Sequence, residues 1–512
     1  MATSNCWQAV FPQTGKSNAR LQTELMKATV QSIYPKSVQT KDDSLFFMVK
    51  EGLTKKLIVV GSSDLFSKFS GTIEEINQYQ VKICPLTTEN RKALQSIFKW
   101  MVPRACGTNQ ASIGLGDRLG LASPGHISTV RNRNVMPILA QQSIRELNLT
   151  GRDYTKVLDA AAWAVFQEGY TLGYGADGDH LKEPSDVKMS LDLGFSMITL
   201  DCSEHIDDSI STLSDKEVNA KYEKLSPDVR QKFEAKYLNK EFTLNTGSKI
   251  KFEQAGFRQM ILVYVHALDF AEEVFKNIIA PAQREIDFEV SIDEVATPTT
   301  PQDHFFVANE LINCGIKVYS IAPRFVGEFQ KGIDYIGDPA RFEADFQIHA
   351  EIADHFGYKV SIHSGSDKFG VFPIIGKYTK GRFHVKTAGT NWLEAVRVIA
   401  ETNPQLYRKI HQFALDNLDE ARKYYYVTFK ESDIPDLASL SDSQLPDLMN
   451  QPAARQALHI TYGLILQAKD QNGKYIFKDE FYHELIDNEE LYTNRLRSHI
   501  GKHLDLLNIK EQ

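Results

Sequence analysis

The chain has 512 residues, of which 42% are hydrophobic and 24% charged, a balance that supports a packed core and argues against wholesale disorder. A net charge of −8 with no Lys/Arg block argues against a nucleic-acid partner. The five cysteines (Cys6, Cys84, Cys106, Cys202 and Cys314) are scattered and form no Cys-x-x-Cys pair, which argues against a thiolate zinc site or a disulfide framework.

Met1 to Gly15 has no basic segment followed by an apolar run, and no stretch reaches the ~18 apolar residues of a membrane helix, so a cytoplasmic protein without a membrane partner is expected. A length beyond one typical core predicts a barrel of roughly 250 residues carrying additional elements. Residues 1–103 read as a small α/β cap, with strands at 44–47 and 56–61 and a helix at 90–101. From 104 to 400, short β-branched runs, polar clusters and amphipathic stretches alternate, the pattern of parallel βαβ units. Strands are predicted at 110–115, 135–139, 170–175, 196–200, 287–292, 316–321, 358–362 and 382–387, enough for a closed (β/α)8 TIM-type barrel. Val157, Leu158, Ala161 and Val165 recur at helical spacing over 154–167. The connection from 201 to 287 is too long for one crossover, and helical patterns at 215–237 and 257–279 make it an inserted lid, about 206–285. Residues 401–512 read as a helical extension; the helical stretches there and just before it lie at 392–401, 405–426 and 479–503.

Barrel enzymes collect function at the C-terminal ends of strands. The segments following the predicted strands are densely polar, supplying Asp117, Arg118, Asp177, Asp179, His180, Lys182, Asp201, His205, Asp293, Glu294, Arg324, His363 to Lys368, His384 and Lys386. Neutral imidazoles from separate strands, His180, His363 and His384, suit a divalent metal with positions left open for substrate. Zn, Mn, Ni and Co are not distinguished by such ligands. The competing account makes each imidazole a hydrogen-bonded core residue; His205 is a further candidate, or a residue that orients the lid. Asp177 and Asp179 share one face of an extended segment, which suits one as base and the other as orienter, unless both belong to a turn around Gly178. Glu294 is the candidate second acid/base. Lys386, two residues after His384, shares its face and suits a carboxylate or oxyanion, as does the small-residue loop from His363 to Lys368. Gly114, Gly116 and Gly120 lack the spacing of a dinucleotide fingerprint, and phosphate-loop and nucleophile-elbow motifs are missing.

Four blocks carry a family resemblance. They are Gly114-Leu115-Gly116-Asp117-Arg118-Leu119-Gly120, Asp177-Gly178-Asp179-His180-Leu181-Lys182, Ile362-His363-Ser364-Gly365-Ser366-Asp367-Lys368-Phe369 and Phe383-His384-Val385-Lys386-Thr387-Ala388-Gly389-Thr390. In these the chain resembles the tagaturonate/fructuronate epimerases and, more distantly, bacterial tagatose 4-epimerases. Asp201-Cys202-Ser203-Glu204-His205 departs from the Asp-Pro-Ser-Asp-His form of that family. The resemblance implies a metal-dependent epimerase interconverting D-tagaturonate and D-fructuronate, with a small keto sugar acid as partner and a divalent metal as cofactor. The inverted carbon lies β to the ketone and its C–H is not acidic, which leaves retro-aldol cleavage and re-addition or transient oxidation by a tightly held cofactor; with no dinucleotide motif in the chain, retro-aldol is the expected route. In that scheme Asp179 moves the hydroxyl proton and Glu294 serves the opposite face, while Arg118, Lys182, Lys386 or the loop from Ser364 to Lys368 binds the carboxylate, with Asp117 as a further substrate contact. Competing expectations are a tagatose/fructose 4-epimerase, a class II metal-dependent aldolase and a non-catalytic sugar-binding barrel. Homo-oligomerisation is left open.

Overall fold

The computed structural model describes residues 6–13, 17–28, 32–61 and 64–512. It opens with an antiparallel sheet of β1 (Ile33–Lys41), β2 (Ser44–Glu51), β3 (Thr54–Val60), β4 (Thr72–Ile76) and β5 (Tyr79–Pro85), ordered β1-β2-β3-β5-β4. The middle strands are apolar on both faces because both are covered. Leu45, Phe47, Val49, Ile58 and Val60 pack with Trp7, Leu21 and Leu25. The alternate residues Phe46, Met48, Leu57 and Val59 join the large hydrophobic cluster of the barrel.

The barrel closes through β6 (Ser112–Gly114), β7 (Met136–Gln142), β8 (Gly175–Leu181), β9 (Met197–Asp201), β12 (Asp287–Ser291), β13 (Ser320–Ala322), β14 (Lys359–Ile362) and β15 (Phe383–Lys386), all parallel. Ile198, Leu200, Phe288, Val290, Val360, Ile362, Phe383 and Val385 face the surrounding helices and belong to the large hydrophobic cluster. The intervening Asp177, Thr199, Glu289 and Lys386 bond to one another across the interior. Barrels of this type are ordinarily filled by branched aliphatics; here the upper filling is ionic.

One predicted strand is displaced. The pattern points to 170–175, whereas the third barrel strand is β8, Gly175–Leu181. Asp and Gly disfavour strands by propensity, and in β8 the pull of Lys386 on inward-facing aspartates overrides that preference. Asp177 and Asp179 are therefore strand residues inside the barrel, not part of a loop beyond it.

Between β9 and β12 lie helices Asp215–Tyr222 and Pro227–Tyr237, the hairpin β10 (Lys240–Thr243) and β11 (Lys249–Phe252), and the long helix Gln254–Val274. The pattern predicted one helix over 215–237; Ser226 capping its successor, with Pro227 at the first helical position, breaks it in two. After the barrel, helices Thr390–Thr402, Pro404–Asp416, Pro452–Ile460, Tyr462–Gln467 and Lys478–Asp487 share a second apolar cluster. At its centre Trp392 stacks on Phe481 at 5.1 Å and donates from Nε1 to the Leu458 carbonyl at 2.8 Å. The final helix, Glu489–Leu506, joins this cluster through Tyr492 and Leu496 and the barrel cluster through Ile500 and Leu504. Among the described residues no helix is long and apolar enough to cross a membrane.

Several imidazoles sit in this interior with few partners. Burial pushes His126 and His411 down to about 4, and His384 and His503 down to about 3. Each folded pKa lies below the unfolded value near 6.5, so the stability these groups contribute is complete above that pH and drains away as the unfolded chain takes up protons. Unfolding free energy should fall steeply between pH 6.5 and pH 4.5. In His411→Gln the fall should be shallower by about 2 kcal/mol, read from urea titrations at each pH; an unchanged slope would mean His411 is not held neutral.

Candidate active site at the barrel mouth

Lys386 organises the interior. Its Nζ lies 2.7 Å from Asp179 Oδ1, 2.9 Å from Glu289 Oε1 and 3.1 Å from Asp177 Oδ2, and it donates to Thr199 Oγ1 at 2.5 Å. Burial opposes the charge on Lys386, but Asp177, Asp179 and Glu289 outweigh it and hold its pKa well above the ordinary lysine value. One ammonium does not match three carboxylates. Burial, with the like charges of Asp179 and Glu289, pushes Asp177 up to about 6 against the pull of Lys386. Glu289 is also bonded by Ser320 Oγ at 2.5 Å and by His363 Nε2 at 2.7 Å.

Two imidazoles reach outward from this layer. A carboxylate only accepts, so Glu289 fixes a proton on His363 Nε2, and Asp179 Oδ1, 2.7 Å from His180 Nδ1, fixes one there. The other nitrogens are left facing the mouth. His363 Nδ1 is buried without a hydrogen bond, 2.9 Å from Asp293 Oδ1. Two such acceptors sit that close only if a second proton or a cation lies between them. In line with this, Asp293 and Glu289 overcome the effect of burial and push His363 up to about 10. His180 Nε2 lies 3.9 Å from Glu294 Oε1, and the two imidazole rings are 4.6 Å apart. His180 is held at φ +53° and Ser364 at φ +49°, left-handed conformations that cost a non-glycine residue energy and cluster at functional sites. Ligand atoms of His180, Asp293 and His363 fall within 4.8 Å of one another. Two imidazoles and a carboxylate, each imidazole backed by a second carboxylate, form a donor set that fits a divalent cation.

The other sequence candidates lie elsewhere. His384 stands outside this group: Nδ1 is 3.0 Å from Ser112 Oγ one layer down, and its buried Nε2 has no partner among the described residues. Asp117 spends both oxygens on the backbone amides of Leu119, Gly120, Ala122 and Ser123, organising its own loop. Arg118 pairs with Glu146 at 2.7 Å and covers the Tyr462 ring at 3.9 Å. Lys182 is 3.2 Å from Glu204, and His205 stacks on Phe270 of the long inserted helix. Glu294, 40% exposed, faces solvent at the mouth.

A cavity of about 280 Å³ opens above the centre, lined by Asp293, Glu294 and His363 and also by Arg145, Arg324 and Lys331. Sequence reasoning named Asp293 only in passing and passed over Arg145 and Lys331. The spacing of Ser291, Asp293 and Glu294 carried a usable signal for Asp293, since Ser291 Oγ donates to it at 2.6 Å. Lys331 lies in a long loop with no periodicity.

That loop is tied down from outside the barrel. Lys368 donates to the carbonyls of Gln330, Ile333 and Ser366 at 2.6–2.9 Å. Burial pushes it down to about 7, yet three carbonyl acceptors call for the three N–H bonds of the ammonium. Arg455, from the C-terminal helices, donates to the Gly332 carbonyl at 2.8 Å and pairs with Asp367 at 2.6 Å. His499 also bonds Asp367, and His503 Nε2 accepts from the Asp367 amide at 2.9 Å. The Asp367-Lys368 pair thus braces the loop and does not face the cavity.

Fold and site together define a (β/α)8-barrel enzyme whose mouth carries an imidazole–carboxylate centre. The chain belongs to the UxaE tagaturonate epimerase family, whose model matches residues 34–507. It is 40% identical over 481 residues to the tagaturonate/fructuronate epimerase of Thermotoga maritima, covering 93% of this chain and 96% of that protein. The fructuronate-tagaturonate epimerase of Cohnella laeviribosi in complex with one glycerol superimposes with a TM-score of 0.91 at 55% identity, covering 93% of this chain and 96% of that one. Its complex with two glycerols gives 0.92 at 54% identity, covering 96% and 100%.

Removing Arg455 leaves Asp367 with less compensation and frees a loop carbonyl. Arg455→Met should cost about 3–5 kcal/mol of unfolding free energy, measured by urea titration; a loss under about 1 kcal/mol would mean the brace is dispensable.

Proposed function

We propose that this chain is an epimerase that interconverts D-tagaturonate and D-fructuronate, using a divalent cation held by His180, Asp293 and His363. The observation that carries the reading is the likeness, over nearly the whole chain, to the Thermotoga maritima enzyme. The unpartnered His363 Nδ1 facing Asp293 supports the cation. A divalent cation bound there supplies Lewis-acid polarisation of the substrate ketone.

The carbon to be inverted lies β to that ketone, so its C–H is not acidic and proton removal there cannot invert it. Retro-aldol cleavage solves this. The hydroxyl on that carbon gives its proton to a base, the bond to the α carbon breaks, and its electron pair passes into the ketone fragment as an enediolate. The aldehyde fragment then turns its other face and the bond re-forms with the proton returned. Glu294, which lines the cavity, takes and returns the hydroxyl proton in this reading. Asp179 is buried behind His180, bonded to its Nδ1 and to Lys386, and acts as a positioning residue. Thr199 and Glu289 hold Lys386 and His363 in register, so the charged layer stays fixed while the substrate fragments move.

The deciding experiment follows tagaturonate by NMR with the purified protein, before and after chelation and after metal return. Appearance of fructuronate that stops with chelator and resumes with metal is expected; turnover of neither uronate in the metal-loaded protein would overturn the reading. The two acidic residues should separate. Glu294→Gln should lower kcat by roughly 10²–10⁴-fold with metal content unchanged. Asp179→Asn should weaken metal affinity about 10–100-fold; lost turnover with unweakened metal binding would instead make Asp179 the base.

A further inference from the structure

Most buried cations around the mouth are matched. Lys386 faces three carboxylates, Arg118 pairs with Glu146, Arg455 with Asp367, and Lys368 satisfies three carbonyls. Lys331 is the exception. Its ammonium is partly buried, and its hydrogen-bond partner among the described residues is the neutral hydroxyl of Ser364, at 2.7 Å. Arg145 lines the same cavity, partnered by the face of the Tyr425 ring at 5.2 Å and by no carboxylate among the described residues. Glu294 lines the same cavity, but neither cation has a carboxylate within ion-pair distance among the described residues, so a bound carboxylate would give half-buried Lys331 the direct ionic partner it lacks.

We propose that Lys331, assisted by Ser364 and Arg145, is the seat of the substrate's carboxylate and the feature that selects a sugar acid over a neutral ketose. The proposal rests on the epimerase reading above and names where the acid end of that substrate lies. Ser364 follows His363 directly, and adjacent Cα atoms are about 3.8 Å apart, so an anion at Lys331 sits one residue from the imidazole centre. In a ketohexuronate the carbon β to the ketone is separated from the carboxyl carbon by a single carbon. A carboxylate held at Lys331 therefore places the carbon to be inverted beside His363 and Glu294, which line the same cavity. Seating the acid end also retains the aldehyde fragment, which carries the carboxylate, while the bond is broken. The left-handed φ of +49° at Ser364 and the bracing of the 330–333 backbone by Lys368 and Arg455 hold hydroxyl and ammonium in place before substrate arrives.

The test uses the metal-loaded full chain and two probes, D-tagaturonate for kinetics and D-glycerate against glycerol for calorimetric binding. Lys331→Met should lower kcat/KM for tagaturonate about 100-fold, mainly through KM, the scale of a lost charged hydrogen bond. It should abolish the preference for glycerate over glycerol, and Lys331→Arg should restore most of both. Kinetics and glycerate binding within about threefold of wild type in Lys331→Met would overturn the seat. Should Lys331→Met fail to fold, Arg145→Gln at the exposed end carries the same comparison, with about a tenfold loss expected. Wild type that turns over no uronate yet prefers glycerate, with the preference lost in Lys331→Met, would remove the epimerase reading and leave the carboxylate seat standing.

Discussion

Everything at the mouth depends on an imbalance of charge inside the barrel. Asp177, Asp179 and Glu289 face inward around a single ammonium, Lys386, and Asp293 lies above them beside His363. In a low-dielectric interior such a layer is tolerable only if each oxygen finds a donor. Thr199, Ser320 and Gln141 supply neutral donors, and the two imidazoles supply the rest. The histidines are thus oriented by the same charges that they help to neutralise. Their outer nitrogens are left toward the mouth, beside Asp293 and Glu294.

How much of this was legible in the sequence varies by element. The alternation of β-branched runs and polar clusters gave the barrel, because strand ends in this fold must carry whatever chemistry exists. His180, His363 and Glu294 were picked out for the same reason, and the structure brings the three side chains together. Asp179 was read on an extended segment with a turn around Gly178 as the alternative, and the structure gives the extended form, held by the partner across the barrel, Lys386, against the propensity of Asp-Gly-Asp for turns. His384 shows what period alone leaves open. Its period-two relation to Lys386 correctly gives an inward side chain, yet depth along the strand decides whether it meets the cavity or the layer below, and depth is set by stagger between strands. Glu289 is absent from the sequence candidates, although its hydrogen bond to His363 ties it to the imidazole pair. Lys331 and Arg145 left no local signal, because an irregular loop and a helix surface are brought to one cavity by tertiary packing alone.

The outer elements serve the centre in different ways. The N-terminal sheet buries both faces and closes one flank of the barrel, a contribution to stability with no residue lining the cavity. The C-terminal helices have their own apolar cluster, but their polar residues are directed at two barrel loops. Arg455 and the histidines of the last helix grip Asp367, and Asp367 is one residue from the lysine that ties down the neighbouring loop. Cavity walls and bracing are therefore made by parts of the chain far apart in sequence.

That arrangement has a consequence for how the protein comes into being on the ribosome. The last barrel strand is complete at Lys386, whereas Arg455, His499 and His503 emerge 69 to 117 residues later. A nascent chain can close its barrel and assemble the charged layer well before the clamp exists, so for that interval the pocket has its chemistry without its walls. The bracing of the mouth loops is therefore completed only with the final helix, which also adds Ile500 and Leu504 to the apolar cluster of the barrel.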